Sequence, residues 1–302
     1  MEFRPLRLTD KDTVGRILAP LRRNDSTLGF ANLYSLQEKY GLEVCFHHGA
    51  LYIRQTRRLG DAVAYFLPLG ESNLVRAAAN LVDEVQRDGC PFCFVNVTPE
   101  EKEQLETQNP GAYAFMSDRA FADYVYRTQD IASYAGPGLA KKRREVNKFY
   151  QLYGARGITF ESIRPEHQEE LQAFQQRWFE GSRRRGTDEH PLELEHRKIL
   201  LDLNHFQALD LEGILLRIDS RVEGYAYGSL LSGGAFDVMV LKGNLDYRYI
   251  WRVLLREQAR AVLDRAAYLN LEEDLGLSGM RENKLSYQPY ALLEKFIATP
   301  LS

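Results

Sequence analysis

Ile214-Leu-Leu-Arg-Ile-Asp-Ser-Arg-Val-Glu-Gly-Tyr-Ala-Tyr-Gly-Ser-Leu-Leu231 is two apolar runs around a turn-like tripeptide, Asp219-Ser-Arg221, and it reads as a β-hairpin. Ser232-Gly-Gly234 then turns the chain into a third strand over 236–241. Upstream, apolar residues at helical spacing predict helices over 165–180 and 190–203. Downstream, a long helix over 249–263 leads into the apolar run Ala266-Ala-Tyr-Leu269, a buried strand, and then into a short helix over 279–287. The second half is therefore strand, two helices, three antiparallel strands, long helix, strand, short helix, strand. That is an α/β (α+β) unit with a mixed central sheet flanked by helices.

The first half repeats parts of this order. Leu6-Arg-Leu-Thr-Asp-Lys-Asp12 and Ile163-Arg-Pro-Glu-His-Gln-Glu169 each lead from a short strand into an amphipathic helix, about 157 residues apart. Tyr65-Phe-Leu-Pro-Leu-Gly70 precedes a helix over 73–86 and the strand Phe94-Val-Asn96, whereas Val238-Met-Val-Leu-Lys-Gly243 precedes the long helix and Leu269-Asn270, an offset of about 174. Internal duplication of one α/β unit is the economical explanation. We divide the chain into an N-terminal unit (1–135), a basic connecting helix (136–156) and a C-terminal unit carrying the candidate site (157–302).

At 302 residues with a net charge of -3, 44% hydrophobic and 27% charged, the chain is typical of globular proteins and has no apolar run near the roughly 18 residues of a membrane span. No hydrophobic signal core follows Met1-Glu-Phe-Arg-Pro5, so a cytoplasmic location is expected. The acidic total argues against a general nucleic-acid coat and leaves room for local basic patches. Cys45, Cys90 and Cys93 suit a reducing compartment. Cys90-Pro-Phe-Cys93 has redox or zinc spacing, but it leads into a strand and has no second ligand pair, so a structural role is expected. The histidines lack metal spacing, and no metal is indicated.

The most informative segment is Asn270-Leu-Glu-Glu-Asp-Leu-Gly-Leu-Ser-Gly-Met-Arg-Glu-Asn-Lys-Leu-Ser-Tyr-Gln-Pro289, a strand-to-helix junction loaded with charge. In a helix over 279–287, Arg281, Lys284 and Gln288 share a face and direct two cations toward an acidic ligand. The same cations are placed to pair with Glu272, Glu273, Asp274 or Glu282 instead.

The strand and helix order resembles the GNAT acyltransferase fold, and the duplication makes it a tandem of GNAT-like domains. The segment itself resembles the signature N-x-E-x-D-x-G-x-x-G-[LM]-R-x-x-K-x-x-Y-x-P of a bacterial family similar to the C-terminal domain of phosphatidylglycerol lysyltransferases, and more distantly to Fem-type aminoacyl transferases. Phe30-Ala-Asn-Leu-Tyr34, Tyr40, Asp123-Tyr-Val-Tyr126 and Gly138-Leu-Ala-Lys-Lys-Arg-Arg-Glu-Val-Asn-Lys-Phe149 support it, so the resemblance covers nearly the whole chain. It implies transfer of an aminoacyl group, with aminoacyl-tRNA as donor and an amine or hydroxyl acceptor, lipid or peptide. The lysyltransferases carry membrane spans ahead of this domain and this chain shows none, which puts the lipid in doubt. Two departures stand out. Lys242-Gly-Asn-Leu-Asp-Tyr-Arg-Tyr249 replaces the glycine-rich turn that binds the coenzyme A pyrophosphate, so acetyl-CoA is not expected as cofactor. The family pattern has an acidic residue where this chain has Leu241, so a carboxylate base is expected to be missing from that strand.

Aminoacyl transfer needs a site for a polyanionic donor, an oriented acceptor and stabilisation of an oxyanion. Lys284 is the candidate oxyanion or leaving-group partner, Arg281 the phosphate clamp, and Asp274 or Glu273 the proton acceptor. Tyr287 is a candidate proton donor whose place before Pro289 also fits packing and helix termination. Asn270 and Lys242 complete the substrate side. Lys141, Lys142 and Arg143 lead a basic helix able to follow tRNA phosphates or simply to face solvent. Arg183-Arg-Arg185 is a weaker basic loop. Two other readings stay open: a non-catalytic module binding tRNA, nucleotide or peptide, and a coenzyme A-dependent N-acetyltransferase.

Overall fold

The computed structural model describes residues 1–60, 62–71, 73–86 and 91–301. In chain order the first half comprises α1 (Lys11–Leu18), α2 (Phe30–Ser35), α3 (Gln37–Tyr40), β1 (Leu42–His47), β2 (Ala50–Leu59), β3 (Ala62–Phe66), α4 (Leu74–Gln86), β4 (Phe92–Val97), α5 (Pro99–Gln108) and β5 (Tyr113–Ser117). It continues through β6 (Asp123–Arg127), α6 (Thr128–Ser133) and α7 (Ala140–Tyr153) to β7 (Thr159–Ser162). The remainder is α8 (Gln168–Arg184), α9 (Glu189–Asn204), β8 (Glu212–Ile218), β9 (Arg221–Leu230), β10 (Ala235–Gly243), α10 (Ile250–Val262), β11 (Tyr268–Asn270), α11 (Ser278–Leu285), β12 (Ala291–Leu293) and β13 (Phe296–Pro300).

The hairpin forms as its sequence predicts. Asp219 and Ser220 both adopt left-handed backbone (φ 50° and 63°), the twist-matched geometry of a two-residue turn between β8 and β9. Along β8, Ile214, Leu216 and Ile218 pack on one face with α10, while Leu215 packs on the other with α8 and α9, the alternation a strand buried on both sides requires. Each half contains one parallel strand pair bridged by its long helix, β3-α4-β4 and β10-α10-β11. These crossovers are the physical counterpart of the repeat seen in the sequence. Cys93 lies buried in β4, where burial raises its thiol pKa, and Cys90 lies outside the described residues.

The molecule is α/β with two mixed sheets flanked by helices, ordered β1-β2-β3-β4-β13-β5 and β12-β6-β11-β10-β9-β8-β7. Sheet membership does not follow chain order. β6 pairs with β11 and β12 in the second sheet, whereas β13 inserts between β4 and β5 in the first. The chain thus crosses between sheets twice, once on entering β6 and once between β12 and β13. Asp123 begins β6 and Lys295 precedes β13, and the two meet at the crossing with Lys295 Nζ 2.6 Å from the Asp123 carboxylate. Both are buried.

Asp123 also accepts from the Ser26 amide (2.7 Å) and the Asn270 side chain (2.9 Å), so it gathers three distant segments. Burial pushes the Lys295 ammonium pKa down, but Asp123, Glu273 and Asp25 outweigh this and hold it above its ordinary value. Removing one partner of such a pair strands the other charge away from water. Lys295→Met is therefore expected to lower unfolding stability by about 3–5 kcal/mol in denaturant titration, or to prevent folding.

Candidate functional site

A cleft of about 1220 Å3 opens between the two sheets. One wall comes from α2 and the end of β4, and the other from α9, β10 and the loop after β11. Apolar side chains such as Leu33, Phe66, Met239 and Leu255 make up much of its lining, and Lys198, Lys242, Lys284 and Lys295 reach it with Glu195, Glu272 and Glu273. A large apolar pocket with a few convergent charged groups is the usual form of a small-molecule or acyl-chain site.

The loop after β11 is built by its own polar residues. The Asn270 carboxamide is buried, donating to the Asn24 carbonyl (2.8 Å) and Asp123 and accepting from the Glu272 amide (2.7 Å). Lys284, reaching back from α11, donates to the carbonyls of both Leu271 and Glu273, the residues that flank Glu272. Burial pushes the Lys284 ammonium pKa down against the pull of Glu272, Asp123, Glu273 and Asp274. With these three groups fixed, Glu272 occupies left-handed backbone at φ 55°, a conformation that glycine adopts freely and a glutamate rarely does.

Asp274 and Arg281 close on each other in a bidentate pair (2.7 and 2.9 Å). Asp274 is buried and also accepts from the Tyr124 hydroxyl (2.5 Å), the Gly276 amide (2.9 Å) and more loosely from Arg119 (3.4 Å). The Arg281 hydrogen bonds, with those of Tyr124 and Gly276, hold its carboxyl well below the usual carboxylate range in spite of burial. A carboxylate so saturated has little affinity for the proton of a substrate amine. Arg281 and Lys284 thus turn toward their own loop. α11 ends at Leu285, and Gln288 lies beyond it at φ 56° with its side chain against Gly138, off the face expected for it.

Glu273 pairs with Lys295 (2.7 Å) at the cleft edge. Lys242, on β10, is buried with its Nζ 3.8 Å from the Trp178 ring centre and 2.7 Å from Glu195, a half-exposed side chain. Burial pushes this ammonium pKa down, Glu195 only partly restoring it. Tyr287 is buried, its phenol accepting from Arg252 (2.7 Å) and its pKa pushed up to about 12 by burial. The Lys142 ammonium lies 4.0 Å from the Tyr287 ring and is pushed down to about 8 by burial and by Arg252. Arg143 donates to the Tyr134 and Gly136 carbonyls (2.6 and 3.3 Å). On α7 Lys141, Arg143, Arg144 and Lys148 are exposed, and Lys141, Arg144 and Lys148, three and four residues apart, lie on one side of the helix.

The turn between β10 and α10 commits its amides internally. Asn244 donates to the Glu223 carbonyl, Asp246 and Tyr247 to Asn244, and Arg248 to the Tyr153 hydroxyl. Among the described residues, no group of three or more His, Cys, Asp and Glu could hold a metal ion, and no helix is long and apolar enough to cross a membrane.

Leu241 leaves its own position without an acid, but the same strand carries a carboxylate elsewhere. Asp237 lies four residues upstream of Leu241 on the same strand, fully buried, and accepts from the Asn32 amide (2.8 Å). The same amide nitrogen donates to Glu272 (3.1 Å), while Oδ1 of Asp237 and Oδ1 of Asn32 have no partner. Burial, with Glu272 and Asp123 nearby, raises the Asp237 pKa far above a normal aspartate. The signal was present in the sequence as the lone acid of this strand, set among apolar residues, and as Asn32 inside Phe30-Ala-Asn-Leu-Tyr34.

The family described as phosphatidylglycerol lysyltransferase, C-terminal, matches residues 18–299, and the chain belongs to it. Among solved structures, a conserved protein of unknown function from Bacteroides thetaiotaomicron VPI-5482 is 26% identical over 100% of both chains, with a TM-score of 0.92. The C-terminal domain of a putative lysylphosphatidylglycerol synthetase from Agrobacterium fabrum shares the fold at 14% identity, 97% and 93% coverage of this chain and that one, and a TM-score of 0.65. FemX shares it at 9% identity, 100% and 98% coverage, and a TM-score of 0.60. No relative was found among curated proteins.

Because the folded-state pKa of Asp274 is depressed, its contribution to stability is present above the ordinary value of 3.8 and fades as pH falls through the folded one. Asp274→Asn is expected to unfold at lower denaturant concentration than the parent near neutral pH, the two converging in strong acid.

Proposed function

We propose that this chain, as a member of that family, moves an aminoacyl group from an aminoacyl-tRNA onto a hydroxyl or amine acceptor held in the cleft. The observation that carries the reading is the cleft itself, where buried lysines meet carboxylates along an apolar channel between the sheets. An aminoacyl ester brings a polyanionic carrier, a small reactive carbonyl and an acceptor that must be kept from competing water. Lysines in a low-dielectric wall stabilise charge developing on that carbonyl oxygen far more strongly than the same lysines in water. Lys242 is suited to this role, because its counter-ion Glu195 is half exposed and free to turn to solvent when an anionic centre approaches. The apolar lining suits an acceptor with alkyl parts, such as a phosphatidylglycerol-type lipid, and also admits a peptide amine.

In this reading Lys141, Arg144 and Lys148 follow the phosphates of the carrier. Asn270, Asp274, Arg281 and Lys284 shape the loop that closes one wall, Glu273 anchors it to Lys295, and Tyr287 packs the floor beside Lys142.

The decisive test supplies labelled aminoacyl-tRNAs together with phosphatidylglycerol vesicles or acceptor peptides and follows label into either acceptor. Transfer that falls on the order of a hundredfold in Lys242→Met supports the reading. Binding of charged tRNA with no transfer to any acceptor overturns it in favour of a non-catalytic module, and acetyl transfer from acetyl-CoA would replace it by an acetyltransferase. Affinity for tRNA is further expected to fall with salt, and Lys141→Ala to reduce the slope of that dependence by about one unit.

A further inference from the structure

We propose that Glu272 is the catalytic proton acceptor of this site, held in an unfavourable backbone conformation so that its carboxylate faces the cleft beside Asn32. The proposal rests on the transferase reading above and gives that reaction its base. Two independent features carry it. Lys284 and Asn270 fix the peptide groups on either side of Glu272 and keep it at φ 55°, a strain that the surrounding hydrogen bonds sustain. The side chain so presented lines the cleft and meets the Asn32 amide, which also holds Asp237. Both Asn32 and Asp237 keep a buried oxygen without a partner at this point.

The electrostatics fit the role. Burial raises the Glu272 pKa above that of an ordinary glutamate, Glu273 beside it acting the same way, while Lys198 from α9, Asn32 from α2 and Lys284 from α11 pull it down. Asp237 from β10, wholly enclosed, is raised well above the ordinary aspartate range by burial with Glu272 and Asp123 nearby, so the two carboxyls titrate as a pair of which Glu272 is the cleft-facing member. A carboxylate poised above its normal range is a better base near neutral pH. In the transfer the acceptor nitrogen or oxygen bonds to the ester carbonyl carbon, its proton passes to Glu272, the bond from that carbon to the ribose oxygen breaks, and Glu272 returns the proton to the ribose oxygen.

The test uses three proteins: parent, Glu272→Gln and Glu272→Gly. In the first arm, carboxyl carbons of 13C-labelled glutamate are titrated by NMR in the protein alone, and the resonance missing from Glu272→Gln is expected to titrate above 4.5. In the second arm, single-turnover transfer is expected to fall roughly 10²–10⁴-fold in both variants with tRNA affinity unchanged, although Glu272→Gly, which suits the left-handed backbone, melts at or above the parent temperature. An ordinary titration, or parent-like transfer by either variant, overturns the proposal. Failure of the parent to transfer at all would count against the transferase reading, and the titration arm then still decides whether Glu272 is poised as a base.

Discussion

The buried ion pair between Lys295 and Asp123 is the constraint on which the rest of this structure depends. Two charges removed from water gain from each other only if their remaining hydrogen-bonding capacity is also met. Here Ser26 and Asn270 complete Asp123, and Glu273 and Thr27 complete Lys295. The pair therefore works as a junction rather than an isolated bridge, drawing together the segment before α2, the end of β11 and both inter-sheet crossings. The left-handed Glu272 and the opposing Asn32 meet across the cleft because this junction sets the distance between the walls that bear them.

The charges of the site sort into two layers. Asp274 with Arg281, and Lys284 with two backbone carbonyls, are satisfied within the chain and act as framework. Lys242, Glu272 and the enclosed Asp237 are less fully compensated, and burial shifts the proton affinity of each. This division of labour is common at catalytic sites, where a saturated outer set orients a poised inner one.

The order of elements was legible because it is local. The hairpin, the three-strand meander and the long helices follow from alternation, turn residues and helical period, and the structure has them within a few residues of their expected bounds. The exchange of β6 and β13 was not legible, since it rests on pairings such as Ile297 with Met116 that no local pattern encodes. Within the segment after β11, Glu272 could not be told from Glu273 and Asp274 by residue type. Backbone conformation and partners separate them: one strained toward the cleft, one bound to Lys295, one bound to Arg281. Lys142 is a different case. It lies four residues before Val146 and seven before Phe149, so the helical period already placed it on the buried side of a helix whose other cations face solvent.

The interleaving of β13 between β4 and β5 also bears on how the polypeptide is made. β13 is synthesised about 180 residues after β5, which at ribosomal speeds of roughly 5–20 residues per second means a wait of about 10–35 seconds. Through that interval the facing edges of β4 and β5 have no partner, and the apolar residues around Phe94 lack the cover that Ala298 later supplies. Unpaired strand edges of this kind invite association with other chains. The pairing of the first sheet is thus completed only once β13 has left the ribosome.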